Sequence, residues 1–295
     1  MENKLDESNL TKVELVKRLN KFDLAFFSLD TITLSRWSKN KTKPSNYRQF
    51  LMYLFFRDNI SKCIKFNRSL NSSSSEANKV IDVYFKYRKN PSYDKPLIND
   101  DNIIYYYSIY NELEIRNVFS YFYNNFNFNF NFYLEVYDFI DKQSINYNSY
   151  LFKEFDVKNE RITSHIQASF LNAKNSYYFK SFLLDKDVNV DLEKDEELII
   201  FDIPFFREKK TFEELLFSFI EKLIELDYVN NPIYFFCVSD YFVNILELLG
   251  GKHIGTIQDS ANNIFIYENN TLSFLSNKYI IELYRKFSSR NELSD

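Results

Sequence analysis

The stretch Glu197-Leu198-Ile199-Ile200-Phe201-Asp202-Ile203, followed by Thr211-Phe212-Glu213-Glu214 and then by Ile233 to Val238, decides how the larger part of this chain folds. Its short apolar run reads as a buried strand. Thr211 to Glu214 reads as the capped start of a long helix reaching about Asp227, because Leu215, Leu216, Phe219, Leu223 and Leu226 return to one face. Pro232 then introduces a second strand, since a missing N–H is tolerated at a strand's first residue.

Working outward, Arg161 to Leu171 and Tyr177 to Leu184 flank the turn-rich Asn172-Ala173-Lys174-Asn175-Ser176 and read as a hairpin. On the other side, a helix from Asp240 to Leu249 ends on Gly250-Gly251, and His253 to Gln258 with Asn263 to Glu268 forms a last hairpin. Leu275 to Phe287 closes the chain as a helix. Nearer the middle, Ile103 to Tyr107 is strand-like and Glu112 to Tyr123 helical. Asn125-Phe126-Asn127-Phe128-Asn129-Phe130-Asn131-Phe132 alternates strictly, which predicts a strand in need of pairing or cover, the alternative being a simple-repeat tract carried in a helix or loop. This order resembles the GCN5-related N-acetyltransferase (GNAT) fold over roughly residues 100–290. The segment Asn244-Ile245-Leu246-Glu247-Leu248-Leu249-Gly250-Gly251-Lys252-His253-Ile254-Gly255 is similar to the helix–turn–strand signature of that family, with Gly251 in place of the usual aromatic.

The N-terminal end has a different character. Leu29-Asp30-Thr31-Ile32-Thr33-Leu34-Ser35-Arg36-Trp37 reads as a short helix capped by Asp30 and ended by Asn40 in the left-handed cap position. Thr33, Leu34 and Trp37 face a small core, while Ile32, Ser35, Arg36 and Lys39 face away. Upstream, Thr11 and Glu14 form a capping box before Leu15, Val16 and Leu19, and downstream a helix from Tyr47 to Arg57 carries Phe50, Leu51, Leu54 and Phe55. Leu34-Ser35-Arg36-Trp37, a polar turn and Pro44 resemble the Cro/repressor-type (XRE-like) helix-turn-helix. That resemblance implies a DNA interface made of Thr31, Ile32, Ser35, Arg36, Lys39, Lys41, Lys43 and Arg48.

Charge is divided in the same way. Residues 1–68 hold 14 Lys/Arg against 7 Asp/Glu, and the other 227 residues hold 23 against 34. With 45% hydrophobic and 26% charged residues the chain has the composition of a globular protein with a substantial core. The expected architecture is multidomain, α plus α/β: an all-α helix-turn-helix domain over residues 1–68, a linker with a helix over 69–99, and over 100–295 a GNAT-like mixed, mainly antiparallel sheet flanked by helices. Asn71-Ser72-Ser73-Ser74-Ser75 marks the linker. Two lone cysteines and two histidines give no metal or disulfide framework, and there is no membrane-length apolar run or signal peptide, so a cytoplasmic protein is expected.

In GNAT enzymes the coenzyme pyrophosphate rests on an Arg-x-x-Gly-x-Gly/Ala loop, and the resemblance places that loop at Phe205-Phe206-Arg207-Glu208-Lys209-Lys210-Thr211-Phe212. Arg207 is present, but Lys210 and Phe212 occupy the small-residue positions, which leaves Arg207, Lys209 and Lys210 as candidates for a different anion. Glu193, Glu196, Glu197, Tyr241, His165 and His253 form no pair suited to acid–base work. The expectation is therefore a sequence-specific transcription regulator, a homodimer on double-stranded DNA. Its non-catalytic second domain takes no cofactor and serves dimerisation, a small-molecule effector or a protein contact. The alternative is an N-acetyltransferase that uses acetyl-CoA and carries an appended DNA-binding domain.

Overall fold

The computed structural model describes residues 10–87 except 69 and 73, 103–109, parts of 135–139, 147–157, 161–192, 196–238, 240–259 and 262–291. The readings made for Glu112 to Tyr123 and for Asn125 to Phe132 lie outside those residues. The chain forms two units, Met1–Ser74 with Leu275–Asp295, and Ser75–Phe274.

The first unit is helical: α1 (Lys12–Phe22), a 3-10 turn (Leu24–Phe26), α2 (Thr31–Ser38), α3 (Asn46–Phe55) and α4 (Ile60–Phe66), joined by the last helix, Lys278–Asn291. Side chains written in the sequence set each helix start. Thr11 and Glu14 close a reciprocal capping box, Asp30 accepts from the Thr33 N–H at 2.6 Å, and Asn59 accepts from the Lys62 N–H at 3.1 Å. Asn40 takes a φ of 53°, so α2 ends where the sequence placed its stop. Leu15, Leu19, Phe26, Leu34, Phe50 and Ile64 form the buried core.

The last helix, read above with the sheet domain, groups with these helices. Arg285 donates to the carbonyls of Ile64 (2.8 Å) and Asn67 (2.7 Å), which ties the last helix to the end of α4. Asn71 exchanges backbone bonds with the Asn46 side chain at 2.9 Å each, and the Ser74 hydroxyl donates to Glu282.

The second unit is built on a seven-stranded sheet in the order β1-β2-β3-β4-β5-β7-β6. Its elements are α5 (Ser75–Tyr87), β1 (Ile103–Ile109), β2 (Asn148–Asp156), β3 (Arg161–Leu171), α6 (Ala173–Leu184), β4 (Leu198–Phe205), α7 (Lys209–Glu225), β5 (Pro232–Cys237), α8 (Asp240–Leu248), β6 (Lys252–Asp259), β7 (Asn262–Asn270) and the short α9 (Thr271–Leu275). Every pairing is antiparallel except β4–β5, where α7 carries the chain back over the sheet before the next strand begins. One sheet face packs on α7, with Phe219 at 6.2 Å from Phe152 and 5.0 Å from Phe201 between ring centroids. The other packs on α6, whose Phe179 lies 5.9 Å from Tyr234 and 6.0 Å from Phe236. Gly250 ends α8 with a φ of 90°, a conformation that favours glycine.

Two sequence readings are corrected here. Residues 173–184 form helix α6, not the second arm of a hairpin. Asn172 accepts the Asn175 N–H at 3.0 Å, and Phe179, Phe182 and Leu183 are buried while Tyr177 and Leu184 are exposed, a helical period that overrides the β propensity of the aromatics. Helix α7 begins at Lys209 rather than Thr211, because the Thr211 hydroxyl is turned to Glu154 instead of a helix amide. Replacing Asn172 by Ala should lower stability by about 1 kcal/mol. Urea unfolding should show this as a lower midpoint with an unchanged slope, and an unshifted midpoint would mean that the cap does not hold α6.

Candidate functional site

The parallel pair is where the sheet opens. Strands β4 and β5 are in register only from Ile199–Ile233 to Phe201–Phe235, yet β4 continues to Phe205 and β5 to Cys237. Beyond Phe201 the two strands part. Between His165 and Gln167 the β3–β4 register also shifts, three residues of β4 being spanned by two of β3, so β4 bends at Ile203-Pro204. Asp202 is the first residue past the last β4–β5 pair, and it is 2% exposed.

Strand alternation puts Asp202 on the α6 side of the sheet, in line with Ile200 and Leu198. That face changes character along the strands. Leu151, Leu171, Leu198 and Ile200 join the apolar core at one end. At the other, Gln167 lies directly across from Asp202 and His165 across from Lys153, all four buried. Burial holds the Lys153 ammonium below its ordinary pKa. The His165 ring stacks on Phe205, with centroids 6.4 Å apart. A carboxylate, an amide, an imidazole and an amine thus share one patch beside the parting strands, a set able to hold and move a proton.

The opposite face ends on a second carboxylate. Glu154, fully buried, accepts hydrogen bonds from the hydroxyls of Thr163, Ser164 (3.0 Å) and Thr211 (2.8 Å), and from Arg207 through Nε (3.2 Å) and Nη2 (3.0 Å). Burial pushes this carboxyl up, but the Arg207 guanidinium and the hydroxyls outweigh it and leave the pKa below the usual carboxylate value. The Arg207 N–H donates to Ser164 Oγ at 2.9 Å, so the whole turn between β4 and α7 is pinned to β2 and β3. At the N-terminus of α7, Glu208 makes no side-chain cap.

The candidate anion residues separate in this arrangement. Arg207 is paired with Glu154 and, at 3.1 Å, with Glu208. Lys209 reaches Asp82 of α5 at 2.7 Å, while Lys210 is exposed in the first turn of α7. Phe212, expected to crowd a phosphate loop, instead points into an aromatic cluster: 4.9 Å from Phe206, which is in turn 5.9 Å from Phe242 of α8. Glu196 is paired with the buried Lys180 at 3.1 Å, Glu197 is exposed, His253 is exposed and bonded to Thr256, and Glu193 lies outside the described residues. In the helical unit, Ile32, Arg36, Lys39, Lys41 and Lys43 are exposed, and Thr31 and Ser35 half-buried. Arg48 donates to the Ala25 carbonyl at 3.0 Å and lies 5.9 Å from the Trp37 ring centroid.

Asp202, Gln167, Lys153 and Glu154 were not singled out in the sequence. The available signal was a lone charge set in an apolar run, as in Ile199-Ile200-Phe201-Asp202 and Leu151-Phe152-Lys153-Glu154. His165, within a strand pattern, reads from the sequence as an ordinary polar or partly packed side chain, and its cross-strand neighbour Lys153 becomes evident only in the sheet.

With the strand order, the parallel step and the long helix after β4 in view, the sheet unit is GNAT-like in fold. No family model and no curated protein matches the sequence. Solved structures similar to the chain include FeeM, an N-acyl amino acid synthase from uncultured soil microbes, with a TM-score of 0.33 and 10% identity over 63% of this chain and 98% of that one. Another is the ribosomal-protein-S5-alanine acetyltransferase from Vibrio fischeri, with a TM-score of 0.26 and 10% identity over 47% of this chain and 68% of that one. These findings correct the expected function. The neighbours are an acyl amino acid synthase and an acetyltransferase, in line with the alternative of an acyltransferase and not with a DNA-binding transcription regulator. Among the described residues no helix is long and apolar enough to cross a membrane.

The Glu154 network sets its own pH dependence. Because the folded pKa lies below the ordinary 4.5, the stabilisation is complete above that pH and is lost as the pH falls through the folded value. Glu154→Gln should therefore flatten the stability curve on the acid side. Arg207→Ala, which strands the buried charge, should cost about 3–5 kcal/mol at neutral pH. Denaturation midpoints measured across an acid series check both, and an Arg207→Ala midpoint equal to wild type would remove the network from the account.

Proposed function

We propose that the Ser75–Phe274 unit is an N-acyltransferase that moves an acyl group from a coenzyme A thioester to an amine. The observation that carries this reading is the parting of β4 from β5 immediately before a buried carboxylate, Asp202. The register between the two strands ends at Phe201 and Phe235, and a seam between diverging strands suits an extended arm bearing amides. That seam fits the pantetheine part of the donor. The pyrophosphate loop fits less well, since it has no glycine and Arg207 is committed to Glu154. The phosphates would rest instead on exposed Lys210 and the first-turn amides of α7, which Glu208 leaves uncapped.

The thioester, when bound, supplies an activated carbonyl. The chain's own residues do the rest. Asp202 accepts the proton released as the acceptor nitrogen bonds to the carbonyl carbon and the C–S bond breaks, giving an amide and a thiolate that takes a proton from water to leave as the thiol. Gln167, directly across from Asp202, orients that carboxylate, and the His165–Lys153 pair at the same end of the face carries the proton onward. Lys153 suits this because burial favours its neutral form. The helical unit, whose caps and Asn40 turn follow the order of a Cro/repressor-type helix-turn-helix, we infer to be an appended module of that shape.

Calorimetry with acetyl-CoA should give a dissociation constant in the range of about 1 µM to 1 mM. No heat with millimolar ligand would sink the reading. Thiol release from acetyl-CoA, measured over a panel of free amino acids and polyamines, should fall roughly 10²–10⁴-fold in Asp202→Asn while acetyl-CoA binding stays unchanged.

A further inference from the structure

In the helical unit, beside the end of α2, lies a cavity of about 420 Å³. That is within the range of small-molecule sites, toward its lower end. Trp37, Tyr53 and Phe56 bring aromatic rings to its lining, which also includes Lys43 and Asp58, residues of opposite charge. We propose that this cavity binds a small zwitterion bearing an aromatic ring, the chemistry of a free aromatic amino acid.

Three features carry the proposal. The walls are held in place before any ligand arrives. Gln49, 4% exposed, donates to the Pro44 carbonyl at 3.0 Å, which fixes the turn that carries Lys43, and accepts from Asn67 Nδ2 at 3.2 Å. Asn67 is fixed in turn by Arg285, which donates to its carbonyl at 2.7 Å. The Tyr53 phenol in the wall is drawn out of water, and burial pushes its pKa up to about 12. Finally, the lining offers both signs of charge. An apolar guest would use only the rings, and a simple anion only Lys43. A ligand with a carboxylate for Lys43, an ammonium for Asp58 and a ring for Trp37 would match each of these lining residues. The site lies in the helical unit and stands or falls independently of acyl transfer.

Trp37 is the single tryptophan of the chain, so its emission reports this cavity directly. L-Phenylalanine titrated into the full-length protein should change that emission saturably, with a half-point below about 1 mM. Hydrocinnamate, which lacks the ammonium, and N-acetylphenylalaninamide, which lacks both charges, should each bind about tenfold more weakly or worse. Asp58→Asn should raise the half-point for phenylalanine while leaving that for hydrocinnamate in place, and Lys43→Gln should raise both. No saturation up to about 10 mM phenylalanine overturns the proposal, as do equal half-points for phenylalanine and its uncharged amide. The ligand series on the unaltered protein decides the matter even if a variant folds poorly.

Discussion

A carboxylate sealed inside a protein must be surrounded by donors, and Glu154 shows what that requirement does to a fold. Leaving water is expensive for the charge, so three hydroxyls and a guanidinium converge on it from β3, from the turn after β4, and from the first turn of α7. Those donors come from chain positions far apart. Once they meet, the start of α7 has little freedom over the sheet, and the Arg207 backbone is tied by the same group of side chains.

With its start fixed, α7 lies along one face and sends the chain back to begin β5 beside β4 in the same direction. A parallel pair inside an antiparallel sheet carries slanted hydrogen bonds, and here the pairing stops after three residues on each strand. The strands then diverge, β4 bends through its register shift, and Asp202 stands where they part. The sheet face below the divergence is apolar and packs on α6, while the face at the divergence is polar. The apolar packing and the polar patch thus occupy opposite ends of the same strands, a separation that suits the proposed acyl transfer: a dry core to hold the strands rigid, and polar groups only beside the seam.

Local signals were the legible ones. Asp30, Thr11 with Glu14, and Asn40 act within a few residues of themselves, so the helices they bound could be placed from sequence. The strands around Ile199 and Ile233 and the hairpin after Gly251 were readable because an unbroken apolar run, or glycine beside alternation, has few other uses. The failure at residues 173–184 has the same origin. Asn172 with Asn175 and Ser176 looks like a turn between strands, and the same side chains cap a helix equally well. What decided between the two was the buried face presented to Tyr234 and Phe236, strand residues more than fifty positions further on.

The sequence by itself determined where helices begin and end, which segments are apolar enough to be inner strands, and that a basic helical segment precedes an acidic sheet-forming one. These depend on neighbours in the chain and on composition. Tertiary structure alone decided that Arg207 would face a carboxylate from β2, that Phe212 would turn inward among aromatics, and that Asp202, Gln167, His165 and Lys153 would share one patch. A charge acquires its role from the groups that surround it after folding, and no spacing along the chain records which groups those are.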